Sequence, residues 1–446
     1  MKLIMRLLFA GCLIAVKASA QNPLIMDQFS ADPSARVFEG KVYIYPSHDI
    51  LATPGHGRIG WFCMEDYHVF SSSNLSDWTD HGVIISQNTV PWADPTAYSM
   101  WAPDCIFRNG KYYLYFPTNA KADGINGKGF TVGVAVSDKP YGPFTPQLQP
   151  IKGVHGIDPN VFIDKDGQAY LYWAQGNIYV AKLKENMFEL ASEPKILDGL
   201  PDKGLKEGPY LFARKGVYYL TYPHVANKIE RLEYAIGETP MGPFKFGGVI
   251  MDESASGCWT NHQSIIEFKN QWLLFYHNDD LSPHFDKARS IRADSLFFDA
   301  NGTIIKVTPT LRGIGITSAN KEIQIDRYSD VDKAGATIDY IDTLNRMLGW
   351  KVQLNKSNAW VRYNKVDFDK KALKNIILKS ASKGVGVIEI HADKIDGSLI
   401  GRVKVNRSGT WAFSKGIINK TPQGIHDLFI VLKDGNPVEL DWIRFE

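Results

Sequence analysis

The sequence predicts an all-β protein, a five-bladed β-propeller followed by a β-sandwich of jelly-roll type. Three observations carry this prediction. One phrase recurs five times in the first two thirds of the chain. Its copies lie near fifty residues apart, the span of a propeller blade. Stretches with helical periodicity are scarce throughout. The phrase is a polar residue, a short apolar run, a turn and an aromatic strand, which together read as a β-hairpin.

In chain order, Asp32-Pro-Ser-Ala-Arg-Val-Phe leads through Gly40 to Val42-Tyr-Ile-Tyr45. Asp104-Cys-Ile-Phe leads through Gly110 to Tyr112-Tyr-Leu-Tyr115. Asp158-Pro-Asn-Val-Phe-Ile leads through Asp166-Gly167 to Tyr170-Leu-Tyr-Trp173. Glu207-Gly-Pro-Tyr-Leu-Phe leads through Gly216 to Tyr218-Tyr-Leu220. His262-Gln-Ser-Ile-Ile-Glu-Phe leads through Asn270 to Trp272-Leu-Leu-Phe-Tyr276. The five polar residues are separated by 72, 54, 49 and 55 positions. Between the hairpins lie further strands and turns, and the phrase Pro-x-Gly-Pro-Phe ends two of them, at Phe144 and Phe244. In a propeller the first strand of each blade lines the axis, so the starts of these strands converge at one end of it. Those positions carry three aspartates, a glutamate and a histidine.

The pattern breaks near Gly313–Asn320. The propeller is therefore expected over residues 21–316 and the sandwich over 321–446. Strands such as Gly386-Val-Ile-Glu-Ile-His391 and Leu440-Asp-Trp-Ile-Arg-Phe445 alternate apolar and polar residues, as half-buried antiparallel strands do. Residues 1–20 read as a signal peptide: Lys2 and Arg6, an apolar run from Leu7 to Val16, then Ala18-Ser-Ala20. The run is too short for a membrane span. Ala10-Gly11-Cys12 resembles a lipoprotein box, but the apolar run continues past it, so a secreted or periplasmic protein is expected. The remaining cysteines, Cys63, Cys105 and Cys258, are too few and odd in number for a disulfide framework. With 50 basic and 48 acidic residues interspersed, the chain has neither a nucleic-acid footprint nor a polybasic patch. A monomer is expected.

Carboxylates converging on one pocket with aromatic walls suit glycosidic bond cleavage. One carboxyl must be protonated, to give a proton to the leaving oxygen. Another must be ionised, to activate water or attack. Neighbouring like charges separate their pKa values and let both states coexist. The motifs Asp32-Pro-Ser, Trp101-Ala-Pro-Asp104, Gly156-Ile-Asp158-Pro-Asn, Lys206-Glu207-Gly-Pro-Tyr and Asn261-His262-Gln-Ser with Tyr276-His277 resemble glycoside hydrolase family 43 over residues 25–316. The resemblance implies a five-bladed propeller and an inverting hydrolase. It assigns Asp32 as general base, Glu207 as general acid and Asp158 as the residue that tunes the acid. It makes His262 an axial contact of a central calcium or water, and Arg289 a lining residue of the sugar subsite. Trp101 is either a pocket wall or simple inter-blade packing. Asp104 is either a pocket residue or a strand-start cap.

Asn358-Ala-Trp-Val-Arg-Tyr, Gly409-Thr-Trp411, Gly424-Ile-His-Asp-Leu-Phe and Leu440-Asp-Trp-Ile-Arg-Phe445 are similar to carbohydrate-binding module family 6. That similarity implies a structural Ca2+ held by Asp326 and Asp441, with Gln324 a third ligand. It also implies a glycan cleft between two aromatics, Trp411 and Trp350, or a domain that has lost binding and only supports. The substrate implied is a plant cell-wall glycan or oligosaccharide, from which α-L-arabinofuranosyl or β-D-xylosyl units are removed. The insertion Ile50–Asp66 walls the funnel in this reading and favours exo cleavage. Galactan- and arabinan-active relatives and a non-catalytic glycan-binding propeller are the alternatives. A retaining fructan hydrolase would carry Asn-Asp-Pro-Asn-Gly where this chain has Ser30-Ala-Asp32-Pro-Ser.

Overall fold

A computed structural model describes residues 22–122, 124–282, 284–345, 348–370 and 372–446, so the expected signal peptide and Cys12 lie outside the described residues. Five four-stranded antiparallel sheets, each of consecutive strands, cover residues 29–86, 104–146, 157–196, 210–251 and 264–305. They are the five predicted blades, numbered I to V here. Their first strands are Phe29–Phe38, Asp104–Arg108, Ile157–Ile163, Tyr210–Arg214 and Ser264–Phe268. These neighbour one another in a ring, with the first against the fifth.

The repeated hairpin has a local cause. In four blades the first two strands are joined by two residues: Glu39-Gly40, Asn109-Gly110, Lys215-Gly216 and Lys269-Asn270. All eight have φ between +49° and +82°. Such turns match the right-handed twist of the strands they join. The twice-used Pro-x-Gly-Pro-Phe phrase also has a structural task. Phe144 and Phe244 are buried, and the Pro140 and Pro240 carbonyls accept hydrogen bonds from Tyr45 and Tyr172 of the preceding blade. The phrase thus ties blade II to I and blade IV to III. Outer strands are short in three blades, only two residues in II, III and V, which limits exposed sheet edge.

The ring is closed by the segment before blade I. Leu24 N–H donates to Ile291 O at 2.9 Å, and Ser30 N–H to Arg289 O at 2.9 Å. Asn22, fully buried, acts as a two-sided clasp. Its Nδ2 donates to Ala293 O and Thr310 O at 3.0 and 2.8 Å, and its Oδ1 accepts from Ala293 N at 2.8 Å.

Beyond Thr317 the strands form one continuous twelve-stranded sheet that curls around a single apolar core, including Ile323, Val352, Leu378, Ile390, Leu428 and Phe445. The predicted sandwich is therefore hydrogen-bonded around its corner, where Gly401 and Arg402 pair with Ile418 and Ile417. Glycine permits the approach: a Cβ on Gly401 would lie 2.5 Å from Ile417 O, and one on Gly416 2.2 Å from Arg402 O. The two domains meet through Tyr340 Oη donating to Asp280 O at 2.9 Å and Arg327 donating to Asn22 O. Cys63, Cys105 and Cys258 are buried and unpaired. Among the described residues no helix is long and apolar enough to cross a membrane.

Asn22→Ala strands a buried carbonyl pair and a buried N–H at the seam of the ring. It is expected to cost about 2–3 kcal/mol of stability, read as a lower urea midpoint at unchanged slope.

Candidate active site

The inner strands bring Asp32, Asp158, Glu207 and His262 to one end of the axis. There they line a cavity of about 440 Å3 together with Trp61, Phe62, Met64, Trp101, Trp259 and Arg289. Two of the acids are aimed by the same backbone device. Asp32 (φ +48°) and Asp158 (φ +57°) are both left-handed. The ladder slips beside each, between Ala31 and Ser34 in blade I and opposite, between Tyr172 and Ala174, in blade III. A bulge re-aims a side chain that regular pairing would send along the sheet. A non-glycine residue held left-handed stores strain that the surroundings must offset. Glu207 comes from the loop before blade IV. The following Gly208 leaves no room for a side chain, since a Cβ would sit 2.9 Å from Pro223 and 3.2 Å from the His262 ring.

Asp32 is the most heavily bonded carboxylate of the group. Its Oδ1 accepts from Arg289 Nη1 at 2.9 Å. Its Oδ2 accepts from Arg289 Nη2 at 3.2 Å and from Ser47 Oγ at 2.6 Å. Its own N–H donates to His277 Nδ1 at 3.1 Å. Burial raises its pKa, but Arg289, the two histidines and Ser47 more than reverse this and hold it at about 2. His277 is fully enclosed, and burial with the nearby Arg289 lowers it to about 3, so it is neutral. Its Nε2–H then points to Thr260, whose carbonyl lies 3.1 Å away.

Asp158 behaves oppositely. Burial raises it, Glu207 and Asp32 add to the rise, and only His262 and the Gly208 N–H, 2.9 Å from Oδ2, oppose. The result is about 7. Glu207 is also raised, chiefly by burial. One pocket therefore holds an ionised carboxylate and carboxyls that keep a proton to higher pH, the separation that acid–base chemistry requires.

Arg289 was expected to line the sugar subsite. It borders the cavity, but its donors are spent on protein. Nε and Nη2 bond Asp49 at 2.9 and 3.0 Å, and Nη1 also reaches Thr260 Oγ1 at 3.2 Å. At 2% exposure, it clamps Asp32 and Asp49 and offers sugar no free donor. Trp101 does form part of the wall, packed against Phe130 and Phe62 at ring separations of 4.5 and 5.7 Å. The Ile50–Asp66 insertion supplies Trp61, Phe62 and Met64 to the lining, with Phe62 against Trp101. Asp104 is a buried hub outside the cavity. It accepts from Arg36, Ser34, Asn160 and the N–H groups of Cys105 and Val161, which makes it a structural tie below the pocket.

His262 Nδ1 lies 3.9 Å from Asp32 Oδ1. The surrounding oxygens are already engaged, Asp32 by Arg289 and Ser47 and Asp158 by Gly208. These side chains do not form the six-to-eight-oxygen cage of a protein-bound calcium. The sandwich domain is different. Both oxygens of Asp326 are buried without a well-directed hydrogen bond. Burial, opposed by Arg327 but reinforced by Asp441, raises Asp326 to about 6. Asp326 is ion-paired with Arg327 Nε at 2.9 Å and Asp441 with Lys379 Nζ at 2.6 Å, so these two buried oxygen donors suit a hard cation only in exchange for those partners. Gln324, on the two-residue strand Ile323–Gln324, pairs with Trp442 of the last strand, Val438–Phe445. Trp411 is half-buried, with Lys379 Nζ 5.9 Å from its ring centre. Trp350 does not face it. It is buried at the domain junction between Tyr340 and Arg327, so the expected two-aromatic cleft is not formed by this pair.

Sequence reasoning missed Asp49, Ser47 and Glu230. None begins an inner strand, and no spacing rule reaches from Asp49 to Arg289, 240 residues away.

Residues 20–304 match the glycosyl hydrolases family 43, and residues 330–446 match carbohydrate binding module family 6. A xylosidase/arabinosidase 43A of Humicola insolens is 38% identical over 336 residues, covering 64% of this chain and 99% of that protein. A xylosidase/arabinosidase of Bacteroides ovatus is 36% identical, covering 64% and 96%. A β-xylosidase/α-arabinofuranosidase from a compost microbial metagenome, solved with xylotriose, superposes with TM-score 0.58 at 36% identity, over 65% of this chain and 98% of that one. An arabinoxylan arabinofuranohydrolase from Bacillus subtilis, 24% identical, shares the fold over 96% of this chain and 99% of its own, with TM-score 0.56. With the acid cluster at the propeller axis and the family match over most of the chain, this protein belongs to glycoside hydrolase family 43 and carries a family 6 carbohydrate-binding module at its C-terminal end.

Proposed function

We propose that the protein is a secreted, inverting exo-glycosidase that releases single pentosyl units, β-D-xylosyl or α-L-arabinofuranosyl, from plant cell-wall oligosaccharides. The observation that carries this is the opposed protonation of Asp32 and Glu207 on the walls of one aromatic-lined cavity. A volume of about 440 Å3 is near the lower end for ligand pockets, which suits one sugar ring and a water rather than a length of polymer. The relatives named as xylosidase/arabinosidases support the choice of sugar.

Asp32, held ionised, takes the proton of a water on one face of the ring. Glu207 gives its proton to the glycosidic oxygen; burial holds that proton on Glu207 until then, and Asp158, accepting the Gly208 N–H, positions the loop that carries the acid. An adjoining cavity of about 390 Å3 supports the assignment of the acid. It is lined by Phe130, His155, Gln175 and Lys206 and shares only Ile157 and Glu207 with the first. A leaving group there has Glu207, and not Asp32, at its junction with the sugar. Arg289 fixes the base rather than the substrate. Trp61, Phe62 and Trp101 stack on the sugar and exclude water. In the sandwich domain, Asp326 and Asp441 hold a structural Ca2+, and Trp411 is the glycan-facing aromatic.

Glu207→Ala is expected to abolish release from natural linkages and to retain turnover of aryl glycosides with good leaving groups. The first product anomer seen by NMR should be inverted, and retention would sink the mechanism. Arg289→Lys frees Asp32 from its bidentate partner, so its pKa rises from about 2. Because the base must be ionised, the acid limb of kcat/KM should move to higher pH, with kcat down about 100-fold from misplacement. Calcium should raise the stability of the wild type by about 2.7 kcal/mol at a hundredfold excess over Kd, and Asp326→Asn should remove that response in a melting experiment.

A further inference from the structure

We propose that Glu230 is a proton-holding partner of Glu207, a positioning residue whose O–H hydrogen-bonds the Glu207 carboxyl and stabilises the anion left when Glu207 gives up its proton. The proposal rests on the reading of Glu207 as the general acid. Glu230 opens the third strand of blade IV, Glu230–Gly237, and is 1% exposed. Its two oxygens have different surroundings. Oε2 accepts the Asn261 N–H at 2.6 Å. Oε1 is buried and receives no donor from the protein. The side chain lies beside that of Glu207, itself a carboxyl with nothing to donate once ionised. Two buried carboxylates cannot share a hydrogen bond without a proton between them. The oxygen that accepts from Asn261 is thereby the carbonyl of an acid, and the other is its hydroxyl.

Among the described residues no cationic side chain is ion-paired with Glu207 or Glu230. The charged or titratable groups that face it from the surrounding blades are Asp32, Asp158, His262 and Arg289, with Lys206 adjacent in the chain. Arg289 spends its donors on Asp32, Asp49 and Thr260, and Lys206 Nζ donates to Gly204 O at 3.0 Å. Asp32 and Asp158 add only negative charge. Burial, with Glu207 beside it, drives Glu230 well above the usual carboxylate range, so it remains neutral where the enzyme works. In the reaction the Glu207 O–H bond breaks as the glycosidic oxygen gains that proton and its bond to the sugar cleaves. The Glu230 proton stays on Glu230 and only strengthens its hydrogen bond, as a neutral donor to a charge that develops in the transition state.

The test compares pH profiles of kcat on an unactivated xylo-oligosaccharide for the wild type, Glu230→Gln and Glu230→Leu. The amide keeps a neutral donor, so Glu230→Gln should stay within about threefold of wild type with its alkaline limb in place. Leucine removes the donor. It should lower kcat about 30-fold, and because Glu207 then loses its proton less readily, move the alkaline limb to higher pH. The Gln variant carries the test if leucine is not tolerated. A limb shifted to lower pH in Glu230→Gln would mean that Glu230 is charged in the wild type, which overturns the proposal. So would wild-type profiles in both variants. Glu207→Gln separates the two readings: if it keeps full turnover of this substrate, the acid assignment itself falls. If it is inactive while neither Glu230 variant behaves as stated, only the role of Glu230 falls.

Discussion

The guanidinium of Arg289 is the contact on which the active end of the propeller depends. It joins Asp49 and Asp32 of blade I to blade V through two carboxylates at once. Burying an arginine is costly unless every donor finds a partner, and a planar fork facing two carboxylates meets that condition. The same contact sets the chemistry. It holds Asp32 ionised in a place where burial alone would protonate it. Arg289 also lies beside the seam where Asn22 closes the ring, since its carbonyl accepts from Ser30. Ring closure and ionisation of the base are thus determined in one place.

Around that clamp the pocket is short of positive charge. Asp32, Asp49, Asp158, Glu207 and Glu230 are served by one buried arginine and two histidines, one of them neutral. Such a set cannot be fully ionised. The protons settle where burial is greatest and donors are fewest, on Glu230, Glu207 and Asp158. Asp49 receives three N–H groups of Arg289, but of the acids that line the cavity Asp32 alone has enough donors to remain charged. The division of labour between base and acid therefore follows from the count of N–H and O–H groups each carboxyl receives, not from residue type.

The scaffold tolerates strain at Asp32 and Asp158 because the rest of each blade is locally favourable. Two-residue left-handed turns, aromatic second strands and short outer strands each agree with the global fold. Those two bulges are where a regular ladder yields to aim a side chain, and both lie at the site. The C-terminal sheet uses glycine in the same spirit at its corner, where Gly401 and Gly416 allow one ladder to continue around the core.

The sequence by itself determined the repeat, and through it the architecture and the convergence of four site residues. Strand starts in register must meet at the axis of a ring, so Asp32, Asp158, Glu207 and His262 could be placed from spacing alone. Trp101 was legible as either wall or packing, and the Ile50–Asp66 insertion as a wall from its length. Asp104 was not, because it shares the register yet turns its carboxylate to Arg36 below the pocket rather than into it. Arg289 was legible as a neighbour but not as a clamp, and Asp49, Ser47 and Glu230 carried no signal at all. Trp350 looked like half of a glycan cleft until the domain junction enclosed it. These outcomes depend on contacts between residues hundreds of positions apart, and on which of several nearby carboxyls receives a donor. Periodicity fixes where a backbone passes, but the partners of a buried charge are chosen by packing across blades, and only the tertiary structure decides them.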